Sequence, residues 1–445
     1  MHKSIYRQFW RYTIPTVAAM LVNGLYQVVD GIFIGRYVGA QGLAAINVAW
    51  PVLGVILGIG MMVGVGAGAM TSIRLGRQDK KGAKQILATG ITMLGILSPI
   101  VAGILWLCSD DFLLWQGAEG RVYDLGMQYL EILIVASVFS LGSIAFPFLL
   151  RNDNSPNFAT VLMVIGALVN IILDYLFIAY LGWELKGAAI ATGIAQMVVT
   201  LCGVLYFFTS KATLRLKISD LKFHFRFASR IITIGLSSLF MYAYGSIMIA
   251  VHNGLFAYYG DIGWVGAYAI VGYIVIIYYL IIEGIANGMQ PLASYNYGAK
   301  NISNVNRLLK VAMISAVVGG IIFVIGLNID PRAIVSIFNS DDASLIHQAA
   351  LGLRLHLFAL FLDGFLVVCA AYYQSIAMSS KALFVTLGNV LIQIPFLYLL
   401  PQSWGIEGIW LAYPLSNIAL TIVVIVMMWR DVKALSADPD VNTSQ

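Results

Sequence analysis

Residues 25–36 read Leu-Tyr-Gln-Val-Val-Asp-Gly-Ile-Phe-Ile-Gly-Arg, an apolar run interrupted by one carboxylic acid, Asp30. This run closes the apolar segment 13–36, which is longer than the roughly 20 apolar residues that a helix needs to cross a bilayer. A carboxyl group within the bilayer costs about 3 kcal/mol or more, so by default it indicates a function. The segment therefore predicts a membrane-spanning helix that carries a functional acidic group.

The composition of the whole chain is that of a membrane protein. Of its 445 residues, 60% are hydrophobic and 11% are charged, whereas soluble domains carry about 25% charged residues. The apolar segments predict twelve transmembrane helices, at residues 13–36, 43–72, 86–108, 123–150, 158–182, 187–209, 231–258, 264–296, 308–328, 347–374, 382–400 and 407–429. Because these runs are continuously apolar rather than alternating, they exclude a transmembrane β-barrel and predict an all-α polytopic fold.

The basic residues are distributed unequally between the two sides of the predicted membrane. Of the 26 Lys and Arg residues, 21 fall on the side that holds both termini and five fall on the other side. The positive-inside rule then places both termini in the cytoplasm. We therefore expect a multi-pass protein of the cytoplasmic, or inner, membrane of a bacterium or archaeon.

The two halves of the sequence repeat weakly at an offset of about 221 residues, as in the pair Gly66 and Gly288 and the pair Gly187 and Gly408. Each half holds six predicted helices, an even number, so both halves enter the membrane in the same sense, as in a parallel repeat. This pattern predicts two pseudo-symmetric six-helix lobes, at residues 1–209 and 231–429. A cytoplasmic linker at residues 210–230 joins them, and a cytoplasmic tail follows at residues 430–445.

Basic and apolar residues alternate in the predicted linker, residues 210–230. Such a segment is typical of chains that lie on the inner membrane surface. An ordinary solvated linker explains the same pattern equally well, and both interpretations stay open at this point.

Two acidic residues of the first half lie at similar depth in the outer half of the predicted membrane. They are Asp30 in the first helix and Asp174 in the fifth, with Asn170 one turn deeper and Thr192 in the sixth helix. Two nearby carboxylates in a low dielectric resist carrying two negative charges, so we expect the pair to hold a proton. A sodium ion is able to use the same oxygens. The alternative is that these groups only link helices by hydrogen bonds.

Other polar and aromatic residues in the predicted spans are weaker candidates. Glu283 and Asp363 lie deeper in the second half, where either is able to face a cationic substrate. Aromatic rings and neutral hydrogen-bonding groups are suited to lining a cavity for flat, lipophilic cations; these residues include Gln196, Trp50 and Tyr244. Pro15 interrupts the first helix and is a candidate for bending it.

The sequence contains no pattern for nucleotide hydrolysis or for a common hydrolase. The patterns GxxxxGK[ST], HExxH and GxSxG are all absent. ATP-driven transport by this chain alone is therefore not expected. We also expect no enzyme activity, no cofactor and no metal site, with H⁺ or Na⁺ as the coupling ion. An ion gradient is then the expected source of energy.

Two stretches resemble the signatures of the multidrug and toxic compound extrusion (MATE) transporters. Residues 25–36, followed by Gly39 and Leu43-Ala44-Ala45, are similar to the helix 1–2 signature, and residues 288–300 are similar to the helix 8 signature. The resemblance covers nearly the whole chain and implies twelve helices in two lobes.

Within that family, the presence of an acidic residue in helix 1 resembles the pattern of the DinF-like and MepA-like branch. The resemblance implies a cation-coupling site in the N-terminal lobe and a proline whose helix bends; the matching residues are Tyr26, Asp30, Asn170, Asp174, Thr192 and Pro15. The other branch has an acidic residue in helix 7, which this sequence lacks. Asp363 does resemble the helix 10 aspartate of that branch, so a sodium site in the C-terminal lobe stays open.

The resemblance implies a multidrug efflux antiporter that exports lipophilic or cationic compounds by alternating access in exchange for protons or sodium. A lipid-linked saccharide flippase is the alternative, although its diphosphate substrate favours a cationic cavity and the embedded charges here are mostly acidic. The expected partners are membrane lipids and small-molecule substrates. We expect no nucleic-acid partner and a monomeric protein.

Overall fold

The computed structural model describes residues 4–115, 118–338 and 342–437, and these are almost entirely helical. The α-helices, in chain order, are α1 (Ile5–Tyr37), α2 (Ala40–Gly76), α3 (Lys80–Trp115), α4 (Gly120–Asn152), α5 (Pro156–Asp174), α6 (Glu184–Tyr206), α7 (Phe225–Tyr259), α8 (Ile262–Gly298), α9 (Ile302–Ile329), α10 (Pro331–Ser336), α11 (Ala343–Leu357), α12 (Leu360–Ser375) and α13 (Ser379–Ala437). All are long except α10. A π-helical turn, Tyr175–Tyr180, continues α5.

The number of membrane-crossing helices agrees with the sequence. Ten helices in the described ranges are long and apolar enough to span a membrane, and α11 and α12, bent by 49°, together make an eleventh span. The 59-residue α13 contains a non-helical residue, Gly405, with φ 54° and ψ −131°. A straight helix of that length would extend roughly 90 Å, about three times the hydrocarbon thickness of a bilayer. Two spans that meet at Gly405 complete the predicted twelve, which confirms the fold class.

Side chains at the start of several helices satisfy backbone N–H groups that have no partner within the helix. Asp261 caps α8, Asn301 caps α9 and Asp342 caps α11, each by accepting hydrogen bonds from N–H groups of the first turn. Asp330 does the same for α10. Such caps typically contribute about 1 kcal/mol each, and they set where these helices begin.

The contacts between residues divide the chain into two compact units. One unit joins the residues up to Val17 with those from Tyr244 onward, and the other is Ala18–Ala243. The boundaries fall inside α1 and α7 rather than in the segment 210–230. The assignment of residues 1–209 and 231–429 to two lobes stays a prediction, although α7 already begins at Phe225 and α13 continues through the predicted tail to Ala437.

Glycines on α2 allow other helices to approach very closely within the unit Ala18–Ala243. A Cβ atom on Gly64 would lie 2.8 Å from the Cα atom of Ala145 on α4, and one on Gly60 would lie 3.0 Å from a backbone oxygen of α4. The contact with α7 is closer still, because a Cβ atom on Gly66 would lie 2.1 Å from the carbonyl oxygen of Ile231. These small residues therefore act in helix packing.

The segment between α6 and α7 is packed against the rest of the unit Ala18–Ala243 over much of its length. Leu214 and Leu216 are buried in the core of that unit, so neither inserts into lipid. Both oxygens of the Asp153 carboxylate accept hydrogen bonds, from the N–H groups of Thr213 at 2.8 Å and Leu214 at 2.9 Å, and the Tyr206 hydroxyl donates a third at 3.0 Å. This part of the segment is therefore not a loose solvated linker.

We predict that Gly66→Ala destabilises the protein. The new methyl group would overlap the carbonyl oxygen of Ile231, and overpacking of this kind costs about 1–3 kcal/mol. The measurement is the unfolding temperature of the detergent-purified chain. Gly95→Ala on α3 is the matched control, because nothing lies within 4 Å of a Cβ atom there; equal losses for both variants would contradict the packing role of Gly66.

We also predict that Asp153→Ala exposes the segment after α6 to trypsin. The substitution removes an acceptor of three hydrogen bonds, and bonds to a charged group contribute about 1.5–3 kcal/mol each. Cleavage after Lys211, Arg215 and Lys217 should become at least about tenfold faster, since proteolysis follows the population of the opened segment. Asp79→Ala, in another exposed turn, should leave the rate unchanged; an unaltered rate in Asp153→Ala would show that other contacts hold the segment.

Candidate functional site

The structure brings together the two acidic residues that the sequence singled out in the first half. Asp30 lies on α1 and Asp174 is the last residue of α5, immediately before the π-helical turn Tyr175–Tyr180. Their carboxyl groups approach each other within hydrogen-bonding range. Asp174 is completely buried and Asp30 is half-buried.

The two carboxyl groups face each other without a hydrogen-bond donor from the described residues. Both carboxyl oxygens of Asp174 and the Oδ1 atom of Asp30 are buried and receive no N–H or O–H group. Carboxylate oxygens are acceptors only, and buried acceptors left without a donor are costly. A proton or a cation between the two side chains would remove that cost, which is the chemistry that this arrangement makes possible.

Neutral polar groups lie beside the carboxyl pair. Asn170, one turn before Asp174 on α5, is buried and its Nδ2 atom donates to the Thr192 hydroxyl on α6 at 3.3 Å. The Oδ1 atom of Asn170 is buried without a hydrogen-bond donor. Tyr26, one turn before Asp30 on α1, is close to both carboxyl groups. Oxygen atoms of this kind are the ligands that hard cations prefer.

Sequence reasoning missed two features of this site. Tyr129 on α4 is buried and lies near Asp30, Asp174 and Tyr26, but nothing distinguishes it in an apolar segment rich in aromatic residues. The π-helical turn after Asp174 also left no recognisable pattern in the sequence. Such turns interrupt the regular hydrogen bonds of a helix and are frequent at functional sites.

The weaker candidates are found in different surroundings. Gln196 on α6 accepts a hydrogen bond from the Ser140 hydroxyl, and Trp50 on α2 is 41% exposed. In the other compact unit, the Tyr244 hydroxyl donates to the Oε1 atom of Gln393 at 3.3 Å. Glu283 and Pro15 are both half-buried, on α8 and α1 respectively. The roles of these residues stay predictions.

Asp363 on α12 is buried among donors, in contrast to the carboxyl pair. Asn389 donates to its Oδ1 atom at 3.1 Å. The hydroxyls of Tyr279 and Tyr413 lie beside it and hydrogen-bond each other at 2.5 Å, which leaves one of their two protons for the carboxylate. Tyr413 in turn stacks on His356, with 4.8 Å between the ring centres. A carboxylate surrounded by donors is stable without a bound ion, so this cluster requires no ligand to explain it.

Comparison with known proteins identified one family model and a group of bacterial relatives. The model described as MatE matches residues 15–176 and 227–399. The multidrug export protein MepA of Staphylococcus aureus strain N315 is 25% identical over 429 residues, which cover 96% of this chain and 94% of that protein. MepA of Staphylococcus saprophyticus is 25% identical over 435 residues and covers 96% of this chain and 95% of its own length.

Solved structures share the fold over almost the whole chain. One, described as the outward-facing conformation of a multidrug resistance MATE family transporter, has a TM-score of 0.93 at 23% identity and 98% coverage of both chains. A transporter of the MOP superfamily from Pyrococcus furiosus, for which reverse polarity of the binding pocket and a different function are described, gives the same values. At this level of identity the similarity concerns the fold alone.

We predict that Asp174→Asn raises the unfolding temperature of the purified protein at pH 8 in sodium-free buffer. The new amide is able to donate to Asp30, and satisfying a buried acceptor is worth about 1–3 kcal/mol. The gain should shrink at acidic pH, where a proton can occupy the same position. The measurement is thermal unfolding in detergent at several pH values.

Asp363→Asn is the matched control for this prediction, because its carboxylate already accepts hydrogen bonds. Replacing it should lower the unfolding temperature instead. If Asp174→Asn lowered the unfolding temperature to the same extent at every pH, the two carboxyl groups would not be opposed as described.

Proposed function

The chain belongs to the MatE family, whose members are transporters and not enzymes, and from this premise we propose that it is a multidrug efflux antiporter. It exports lipophilic and cationic compounds across the cytoplasmic membrane in exchange for protons, or for sodium, by alternating access. The name of its relatives, multidrug export protein MepA, supports the class of cargo. The excess of Lys and Arg on one side supports an orientation with both termini in the cytoplasm.

The observation that carries the proposal is the pair formed by Asp30 and Asp174. A transporter driven by a cation gradient needs a group whose preferred state changes when a cation arrives. Two facing carboxyl groups with no donor between them meet that need, because a proton or Na⁺ neutralises the repulsion while its release restores it. Asn170 and Thr192 add oxygens that are able to complete a sodium shell.

The available energy is sufficient for export against a gradient. One elementary charge that moves through 100 mV releases roughly 2.3 kcal/mol, which corresponds to roughly fifty-fold accumulation. The acidic character of the embedded charges also favours cationic cargo over an anionic diphosphate.

We predict that Asp30→Asn abolishes resistance to lipophilic cations in a drug-sensitive host while the protein is still expressed. An amide neither releases nor takes up a proton in the physiological pH range, so the pair would no longer respond to the gradient. Glu184→Gln is the control, because Glu184 is exposed and forms a surface ion pair with Arg121 at 2.7 Å, a contact of about 0–1 kcal/mol. Normal resistance in the Asp30→Asn variant would remove Asp30 from the mechanism.

A transport assay with the purified protein in vesicles would identify the coupling ion. Uptake of a fluorescent cation is followed under an imposed pH gradient, an imposed sodium gradient, or neither. A proton-coupled protein responds to the pH gradient with or without sodium, and Asp30→Asn abolishes the response. Equal uptake without any gradient would contradict antiport.

A further inference from the structure

The segment that precedes α7 carries a strong excess of positive charge. Between residues 210 and 230 there are six cationic side chains, Lys211, Arg215, Lys217, Lys222, Arg226 and Arg230, and one carboxylate, Asp220. Lys84 on α3 forms an ion pair with Asp220 at 2.7 Å. The Lys84 ammonium and the N–H group of Lys217 hold the pKa of Asp220 below its ordinary value. The single acid is thus already neutralised by α3, and the other cations keep a net positive charge.

A groove lies directly beside these cations, between α3 and the start of α7. Its volume is about 290 Å³. The walls are apolar apart from two hydroxyl groups; the lining residues are Met93, Ile96, Leu97, Phe223, Phe225, Ala228, Ser229, Ile232 and Thr233. All of them belong to one compact unit, Ala18–Ala243. The groove is therefore a property of that unit alone.

The helical repeat places two arginines along one edge of the groove. Residues three apart are neighbours on a helix surface, so Arg226 lies beside Ser229 and Arg230 lies beside Thr233. Arg226 and Arg230 are themselves one turn apart, and both are exposed. The hydroxyls of the lining therefore stand between the guanidinium groups and the apolar walls.

The groove lies at the depth of the cytoplasmic leaflet. On α3, charged residues end at Lys84 on the cytoplasmic side and resume at Asp110. Met93 is nine residues beyond Lys84, which is roughly 13 Å along the helix. It is thus in the inner half of the uncharged stretch. Arginine side chains at this depth extend toward the headgroup region and keep their charge in water.

We propose that this groove is a binding site for one anionic phospholipid of the cytoplasmic leaflet. One acyl chain lies between α3 and α7 against Met93, Leu97 and Ile232. The phosphate accepts hydrogen bonds from Arg226 and Arg230, with the Ser229 hydroxyl as an additional donor; the Thr233 hydroxyl already donates to the Ser229 carbonyl at 2.8 Å.

The chemistry of the groove distinguishes this occupant from others. An acidic peptide or free phosphate would use the arginines but would leave the apolar walls unfilled. A zwitterionic lipid would fill the walls, but its ammonium group would approach two cations. Phe225, which lines the groove, is 80% exposed and is suited to lipid rather than to water. The sequence left two interpretations of residues 210–230 open, a segment on the membrane surface and a solvated linker. In our proposal neither holds for the whole segment, because its first part packs on the protein and its last part contacts the membrane.

Each basic residue near an anionic leaflet strengthens binding roughly five-fold. Loss of both arginines should therefore reduce the preference for an anionic lipid about 25-fold. The acyl-chain contacts should remain, so binding of a zwitterionic lipid should change little. This difference separates a headgroup effect from a general loss of lipid contact.

The first experiment uses the full-length protein in vesicles that contain phosphatidylglycerol or phosphatidylcholine with a photoactivatable group in one acyl chain. Labelled peptides are identified by mass spectrometry. We expect phosphatidylglycerol to label the α3 region around Met93 and Leu97 and the α7 region around Ile232, in clear excess over phosphatidylcholine. Labels spread evenly over the exposed helix faces, or equal labelling by both lipids, would overturn the proposal without any variant.

The second experiment compares two pairs of variants by the same labelling. Arg226→Gln with Arg230→Gln should lose the phosphatidylglycerol preference about 25-fold, whereas Lys80→Gln with Lys81→Gln, which removes the same charge at the exposed start of α3, should retain it. Ser229→Trp fills the groove and should abolish labelling by both lipids, whereas Ile104→Trp, on the exposed outer part of α3, should not. Unchanged labelling in Ser229→Trp, or equal losses in the two charge variants, would refute the site.

Discussion

Two carboxyl groups, one completely buried and one half-buried, that face each other without a donor are the constraint on which the transport proposal depends. In water the repulsion between Asp30 and Asp174 would be screened, but a completely buried Asp174 has no solvent to screen it. The pair is therefore sensitive to whether a proton or a cation lies between its members. Asp363 shows the opposite arrangement, since Asn389 and one hydroxyl of the Tyr279–Tyr413 pair supply donors. Only the first arrangement leaves buried acceptors that a proton or a cation is able to satisfy.

Close backbone contact, made possible by glycine, holds these polar groups within an apolar protein. Helices in lipid gain little from burying apolar surface, because the lipid is equally apolar. They associate where van der Waals contact is closest, as at Gly64 against Ala145 and at Gly66 against Ile231. Packing of this kind joins α2 to α4 and to α7, so a methyl group at either contact is expected to separate these helices.

The segment between α6 and α7 combines two kinds of interaction along a short stretch. Its first part is held by Asp153, whose carboxylate accepts hydrogen bonds from backbone N–H groups, and by the burial of Leu214 and Leu216. Its last part carries exposed rings and arginines, which in our proposal face the cytoplasmic leaflet. This segment is thus anchored in its first part by protein and, in our proposal, in its last part by lipid.

The sequence alone determined the all-α fold and predicted the twelve spans, because lipid leaves a chain few alternatives to apolar helices. It also suggested that Asp30 and Asp174 form a pair, because a charged residue is rare within an apolar span. Tertiary structure alone decided that these carboxyl groups meet without a donor, that Tyr129 stands beside them, and that Leu214 and Leu216 pack inward. It also revealed the π-helical turn after Asp174 and the donors around Asp363. Such features depend on which side chains from distant segments share one space, and neither composition nor periodicity records that.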